Sequence, residues 1–172
     1  MESIMPNSSP CLTILDTAGD EDWRSALHAH FTRLDPAARQ TRFLAPLGDR
    51  GLAALVARTA PVALVAFAPD GLLRGCAELH PGNTAGSAEI AVSVEAAWQH
   101  RGVGARLTEA ARAEALRRGF TEIRLTCLRS NLPMMRIAKR QSARAMPLAD
   151  WALALFRLDP LPSPGPGDLA AG

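Results

Sequence analysis

The stretch "AWQHRGVGARL", residues 97–107, sets two glycines between a polar run and an apolar pattern of helical spacing. Gln99, His100 and Arg101 come just before Gly102 and Gly104. Two structures suit it: a tight turn that only joins two elements, or a backbone cradle for an anion. A helix N-terminus leaves its first N–H groups without internal partners and carries a partial positive charge. Glycine lets the chain curl so that successive N–H groups share one concavity, with no Cβ to hold an anion away. Phosphate is the natural occupant of such a place.

The flanking sequence puts this stretch between a strand and a helix. "AEIAVSVE", residues 88–95, alternates, with Ile90, Val92 and Val94 on one face and Glu89, Ala91 and Ser93 on the other. Downstream, Val103, Leu107, Ala111 and Ala115 recur every fourth residue. Glu114 is spaced to pair with Arg118, and Gly119 can end the helix. "TEIRLTCL" then alternates as a strand with Ile123, Leu125 and Cys127 on one side. "NLPMMRIAKRQ" reads as a short helix and "DWALALFRLD" as a last strand.

Working towards the N-terminus, "VALVAFAPDGLLRGCAELH", residues 62–80, is a hairpin whose turn is Asp-Gly. "DRGLAALVART" is a helix, and "DPAARQTRFL" another, with Asp35 as N-cap and Pro36 in its first turn. Trp23, Leu27 and Phe31 lie four apart in an earlier helix that follows the strand "CLTILD". The order predicted is β-α-α-α-β-β-β-α-β-α-β with a further strand at the end. The fold class is α/β in the α+β sense, a six- to seven-stranded mixed sheet flanked by helices. One domain is expected over residues 11–159, after a flexible stretch at 1–10 and before a Pro/Gly-rich disordered tail at 160–172.

Composition bounds the function. A chain of 172 residues with 48% hydrophobic and 21% charged residues is an ordinary globular domain. A net charge of +2 gives no sign of a nucleic-acid binder. No apolar run approaches the roughly 20 residues that span a bilayer. "MESIMPNSSP" has neither a basic stretch nor a long apolar one, so no secretion signal is read and the cytoplasm is the expected compartment. Cys11, Cys76 and Cys127 are too few and too widely spaced for a disulfide framework or a zinc motif, so no metal is expected. The single Lys139 among so many arginines reads as coding bias.

Among phosphate loops, a nucleoside-triphosphatase loop is excluded because no Gly-Lys-Ser/Thr is present. A dinucleotide fingerprint would need a small residue where Leu107 stands and a position after the first strand. "QHRGVG" resembles the Gln/Arg-x-x-Gly-x-Gly/Ala loop of the GNAT superfamily of acetyl-CoA-dependent N-acyltransferases. The resemblance covers residues 88–141 most strongly and extends over about 12–158. "AEIAVSVEAAWQHRGVG", "NLPMMRIAKR" and the upstream "LDPAARQTRFLAPL" are similar to the acetyltransferase module of bacterial protein-lysine acetyltransferases.

The resemblance implies a mostly antiparallel GNAT-like sheet, splayed at its central strands. It implies that Gln99, His100, Arg101, Gly102, Val103, Gly104 and Ala105 hold the diphosphate of acetyl-CoA, the donor substrate. Val92 and Val94 would pair with the pantetheine amides. Asn131 would contact the pantetheine arm, or else only cap its helix. The acceptor would be a primary amine, on a small molecule or a protein lysine, and the chain a monomer or homodimer without nucleic-acid or membrane partners.

Direct attack of an amine on a thioester, both bound together, needs three things. The carbonyl must be polarised, for which a backbone N–H of the splayed strand is suited. The amine must be neutral: a lysine-type amine of pKa ~10.4 costs ~4.6 kcal/mol to present uncharged at pH 7. A general base can take that proton, and Glu89, on the strand face with Ala91 and Ser93, is the candidate. The leaving thiolate must be protonated or stabilised. Here the chain departs from the family, which commonly has a tyrosine seven residues after the helix Asn. Ala138 stands there, and the chain has no tyrosine. Ser142-Ala143 replaces a Gly-Phe pair of the family. A non-catalytic acyl-CoA-binding or sensor module is therefore the alternative reading. His28 and His30 are expected to be exposed, His80 to be a second base or a loop residue, and Cys127 to pack in the core. Trp23, Trp98 and Trp151 are expected to be core anchors.

Overall fold

The computed structural model describes residues 11–15, 22–58 and 62–159. The segments 1–10 and 160–172 lie outside the described residues. Strand β1 (Cys11–Leu15) is followed by helices α1 (Asp22–Arg33), α2 (Pro36–Phe43) and α3 (Asp49–Arg58). The hairpin β2 (Val62–Phe67) and β3 (Leu73–Pro81) comes next, then β4 (Ser87–Val94), α4 (Val103–Arg117), β5 (Glu122–Leu128), α5 (Leu132–Arg140), β6 (Arg144–Met146) and β7 (Leu153–Leu158). The order predicted from the sequence is the order found, except that the additional strand, β6, lies before the strand read at 150–159 and not after it.

The local reasons are as read. Asp35 accepts a hydrogen bond from the Ala38 N–H at 2.8 Å, and Pro36 opens α2. At the hairpin, Gly71 has φ 76° and the Asp70 carboxylate accepts from the Leu72 N–H. Helix α4 closes on Gly119 at φ 84°, with Phe120 N–H bonded to the Ala115 carbonyl and Gly119 N–H to Leu116. Glu114 is bonded to both Arg117 and Arg118 there.

The seven strands form one sheet in the order β1-β2-β3-β4-β5-β7-β6. Every neighbouring pair is antiparallel except β4 and β5. Those two are parallel and paired only at Ser87, Ala88 and Glu89 against Glu122, Ile123 and Arg124. Beyond Glu89 they part, which is the expected splay. One face of the sheet is covered by α4 and α5, whose Leu107, Ala111, Ala115 and Met134 pack on Leu64, Leu79, Ile90 and Leu125. The other face is covered by α1 and α3, through Trp23, Leu27, Phe31, Leu52 and Val56. Fully burying a side chain such as Phe31 contributes about 1.5–3 kcal/mol. Alternation in β5 buries Ile123, Leu125 and Cys127, as predicted.

Two expectations about single residues are corrected. His30 is fully buried, not exposed, and His28 is half-buried. His30 sits one position before Phe31 on the inner side of α1, and neighbouring helix positions share a wide buried stripe. Trp151 is not a core anchor: it stands 85% exposed in the turn before β7. Its strand begins only at Leu153, so the indole lies outside the alternation that buries Ala154 and Phe156. Trp23 is buried as expected, whereas Trp98 is half-buried under the guanidinium of Arg101.

Candidate active site

The parting of β4 from β5 opens a cleft of about 550 Å³, floored by Val92, Ser93 and Val94. Gln99, His100, Gly102, Val103, Gly104 and Ala105 form one wall of it, and α5 forms another with Asn131, Met134 and Ile137. Leu34 and α2 residues, among them Ala38 and Arg42, close the far side.

The glycine stretch is a curled backbone at the start of α4. His100 and Gly102 both have positive φ, 60° and 79°. Arg106 is the first residue of the helix whose N–H reaches back, to the Gly102 carbonyl at 3.1 Å. Among the described residues the backbone N–H groups from His100 to Ala105 have no backbone partner. A Cβ on Gly102 would meet nothing within 4 Å, so glycine is there for its φ. Gly104 is there for space. A Cβ on it would come within 3.2 Å of Ile137 Cδ1 and 3.7 Å of Val94 Cγ2, so its absence lets α4 enter between β4 and α5.

The free edge of β4 continues this row. The Glu95 N–H is bonded to the Arg74 carbonyl of β3 at 2.9 Å. Strand alternation therefore turns the peptide groups of Val92 and Val94 the other way, towards the departed β5. Val94 gives up its carbonyl to Gln99 Nε2 at 3.0 Å, which pins the loop to the strand end. Asn131 lines the cleft and also caps α5, accepting from the Met134 N–H at 3.2 Å. Arg101 is outside the lining and lies over the Trp98 ring at 5.1 Å.

Glu89 sits on the last paired rung before the splay, opposite His80 on one side and Arg124 on the other. It is exposed and does not line the cleft itself. His80 belongs to β3, half-buried, its Nε2 3.7 Å from Glu78, and burial holds its pKa below the ordinary value. Burial likewise raises the Cys127 thiol. Ala138 is buried in α5, and Ser142 takes φ 54° in the C-terminal turn of that helix.

Sequence reasoning missed the polar groups on the α1–α2 side. Glu78, 2% exposed, is ion-paired to Arg42 of α2. The Glu95 carboxylate holds His30 Nδ1 at 3.2 Å, Arg33 Nε at 2.8 Å and Arg74 Nη1 at 2.8 Å. Burial by itself would raise the Glu95 carboxyl, but those three donors outweigh it and bring it down to about 2. His30 Nε2 lies 2.9 Å from Ser93 Oγ. No spacing rule links residues some sixty positions apart in the chain. Only the alternation that put Ser93 on the face opposite Val92 and Val94 hinted at this.

Comparison with known proteins agrees with the geometry. The model of the acetyltransferase (GNAT) family matches residues 21–142. No curated protein sequence is significantly similar to the chain. Among solved structures, the GNAT domain of the PAT protein of S. lividans is similar at a TM-score of 0.73 and 21% identity, over 86% of this chain and 89% of that one. A GCN5-related N-acetyltransferase from Kribbella flavida is similar at 0.66 and 25% identity, over 87% and 98%. The protein yncA from Salmonella typhimurium, solved with its cofactor acetyl-CoA, is similar at 0.62 and 17% identity, over 94% and 99%. The fold thus has its counterpart among solved structures, and the chain belongs to the GNAT family of acetyltransferases.

Proposed function

We propose that the chain transfers an acetyl group from acetyl-CoA to a primary amine by direct attack, with both substrates held in the splayed cleft. One observation carries this reading: a row of backbone N–H groups without protein partners that borders the cleft in two runs, one on the free edge of β4 and one from His100 to Ala105. Such a row suits a ligand with a diphosphate at one end and amides along its length. The residues from Gln99 to Ala105 would hold the diphosphate, and Val92 and Val94 would bond to the pantetheine arm. When bound, acetyl-CoA supplies an activated acyl carbon and a thiol leaving group.

Glu89 is exposed at the mouth of the splay, where it can take the first proton from an incoming ammonium group and pass it to solvent. The Glu89→Gln variant should keep its affinity for coenzyme A while losing about 10²–10⁴-fold in turnover at neutral pH. That deficit should shrink as the pH approaches the amine's own pKa of ~10.4, where no base is needed. Full turnover of the variant at every pH would remove Glu89 from the reaction.

The absence of tyrosine and the buried Ala138 favour one second reading, an acyl-CoA-binding or sensor module without chemistry. Thiol release from acetyl-CoA, followed against a lysine-containing peptide, a polyamine and an amino sugar, separates the two. Coenzyme A binding with no thiol released to any of these acceptors favours the sensor.

A further inference from the structure

An amine that arrives as an ammonium ion gives up two protons on becoming an amide. The first goes to solvent through Glu89 in the reading above. The second must reach the departing sulfur, and Ala138 stands where an acid would be expected. We propose that Ser93 and His30, oriented by Glu95, are the relay that carries this second proton from nitrogen to sulfur. This inference rests on the acetyl-transfer reading of the same cleft.

The geometry is that of a hydroxyl, an imidazole and a carboxylate in series. Ser93 Oγ lies 2.9 Å from His30 Nε2, and His30 Nδ1 lies 3.2 Å from Glu95 Oε1. Glu95 stays an anion through the whole working range of pH and can only accept, so the imidazole proton sits on Nδ1. Nε2 is then left as the acceptor of the Ser93 hydroxyl proton. Burial keeps His30 below its ordinary pKa, against the pull of Glu95, so it is neutral and able to receive a proton at pH 7. The charged groups around it are Glu95, Arg33 and Arg74, with Glu78 further along the sheet. His30 is wholly enclosed, whereas Ser93 lines the cleft between Val92 and Val94, so Ser93 is where this chain meets the substrates.

The transfer balances without any co-reactant. As the C–N bond forms, the nitrogen passes its proton to Ser93 Oγ, whose own proton moves to His30 Nε2. As the C–S bond breaks, the imidazolium returns its proton through Ser93 Oγ to the sulfur. Ser93 and His30 end as they began, and the products are amide and thiol. Ser93 is the catalytic residue here, and His30 and Glu95 act through it.

The test compares the wild type with Ser93→Ala, Ser93→Thr, His30→Gln and the Ser93→Ala/His30→Gln double variant, using acetyl-CoA and the amine panel above. Each single variant that removes the hydroxyl or the base should lower kcat about 10²-fold while leaving coenzyme A affinity unchanged. Ser93→Thr should restore most of it, and the double variant should be no slower than either single one, as expected of groups acting as a unit. Independently of turnover, ¹⁵N NMR of the protein alone should find His30 neutral at pH 7 with its proton on Nδ1, and the Nε2 resonance should move in Ser93→Ala. Wild-type kcat in both Ser93→Ala and His30→Gln, or a His30 proton on Nε2, overturns the relay and leaves the acetyl-transfer reading standing. Coenzyme A bound to the wild type without thiol release to any amine overturns that reading and the relay with it. If Ser93→Ala fails to fold, His30→Gln and the NMR spectrum decide the matter.

Discussion

Glu95→Gln is the perturbation whose size the structure fixes best. Glu95 is 8% exposed and its carboxylate holds three donors, His30 and Arg33 of α1 and Arg74 of β3. Its pKa falls from the ordinary 4.5 to about 2 in the folded chain. At about 1.36 kcal/mol per pH unit, that difference amounts to about 3 kcal/mol of folding stability near neutrality. The sign follows from which state binds the proton more tightly. The unfolded chain takes it up near 4.5 and the folded chain only near 2, so the contribution is complete above pH 4.5 and lost as the pH falls towards 2. Glutamine keeps the shape but leaves Arg33 without its countercharge and Arg74 with Asp70 alone. For a chain of this size, about 3 kcal/mol is about 6–12 °C in Tm. Thermal unfolding followed by circular dichroism from pH 7 down to pH 2 should therefore show the variant well below the wild type at pH 7, with the two curves converging in acid. Glu114, also held near 2, first by Arg117 and against its own burial, titrates in both proteins and drops out of the comparison. His30 also works in the same direction in both: burial keeps its folded pKa below 6.5, so stability starts to fall as the pH drops through 6.5. A Glu95→Gln variant within about 1 kcal/mol of the wild type at pH 7, or a gap constant down to pH 2, would refute the assignment.

Other substitutions probe the cleft separately. Gly102→Ala should destabilise the fold by about 1–2 kcal/mol, because its φ of 79° disfavours any Cβ, and it should weaken coenzyme A binding in isothermal titration. Asn131→Ala should lower stability by about 1 kcal/mol through the lost cap of α5; unchanged coenzyme A affinity in that variant would confine Asn131 to capping. Gly75→Ala places a methyl 3.0 Å from Leu107 Cδ1 and 3.2 Å from Val103 Cγ1, where α4 lies on β3. It should cost about 1–3 kcal/mol in urea unfolding.

The elements of this fold, apart from the short strand β6, were legible in the sequence in their order. Each carries a local signal: Asp35 and Pro36 at the start of α2, Asp-Gly in the hairpin, Gly119 at the end of α4, and alternation in β4 and β5. It also placed the curled loop at Gly102 and Gly104, because glycine at a strand-to-helix junction is itself a statement about backbone shape. Where β4 leaves β5 was decided by tertiary structure, since strand pairing is set by what packs on each face and not by the alternation within one strand. So was the burial of His30. Apolar spacing identified the inner face of α1, but a polar residue at the margin of that face is buried only if a partner meets it, and the partners are Ser93 and Glu95 of a distant strand. Trp151 shows the converse, a large apolar side chain left in solvent although Arg129 bonds to the backbone of its turn. Local chemistry writes the order of strands and helices and the conformation of the loops; which polar groups face one another depends on contacts that no short window of sequence contains.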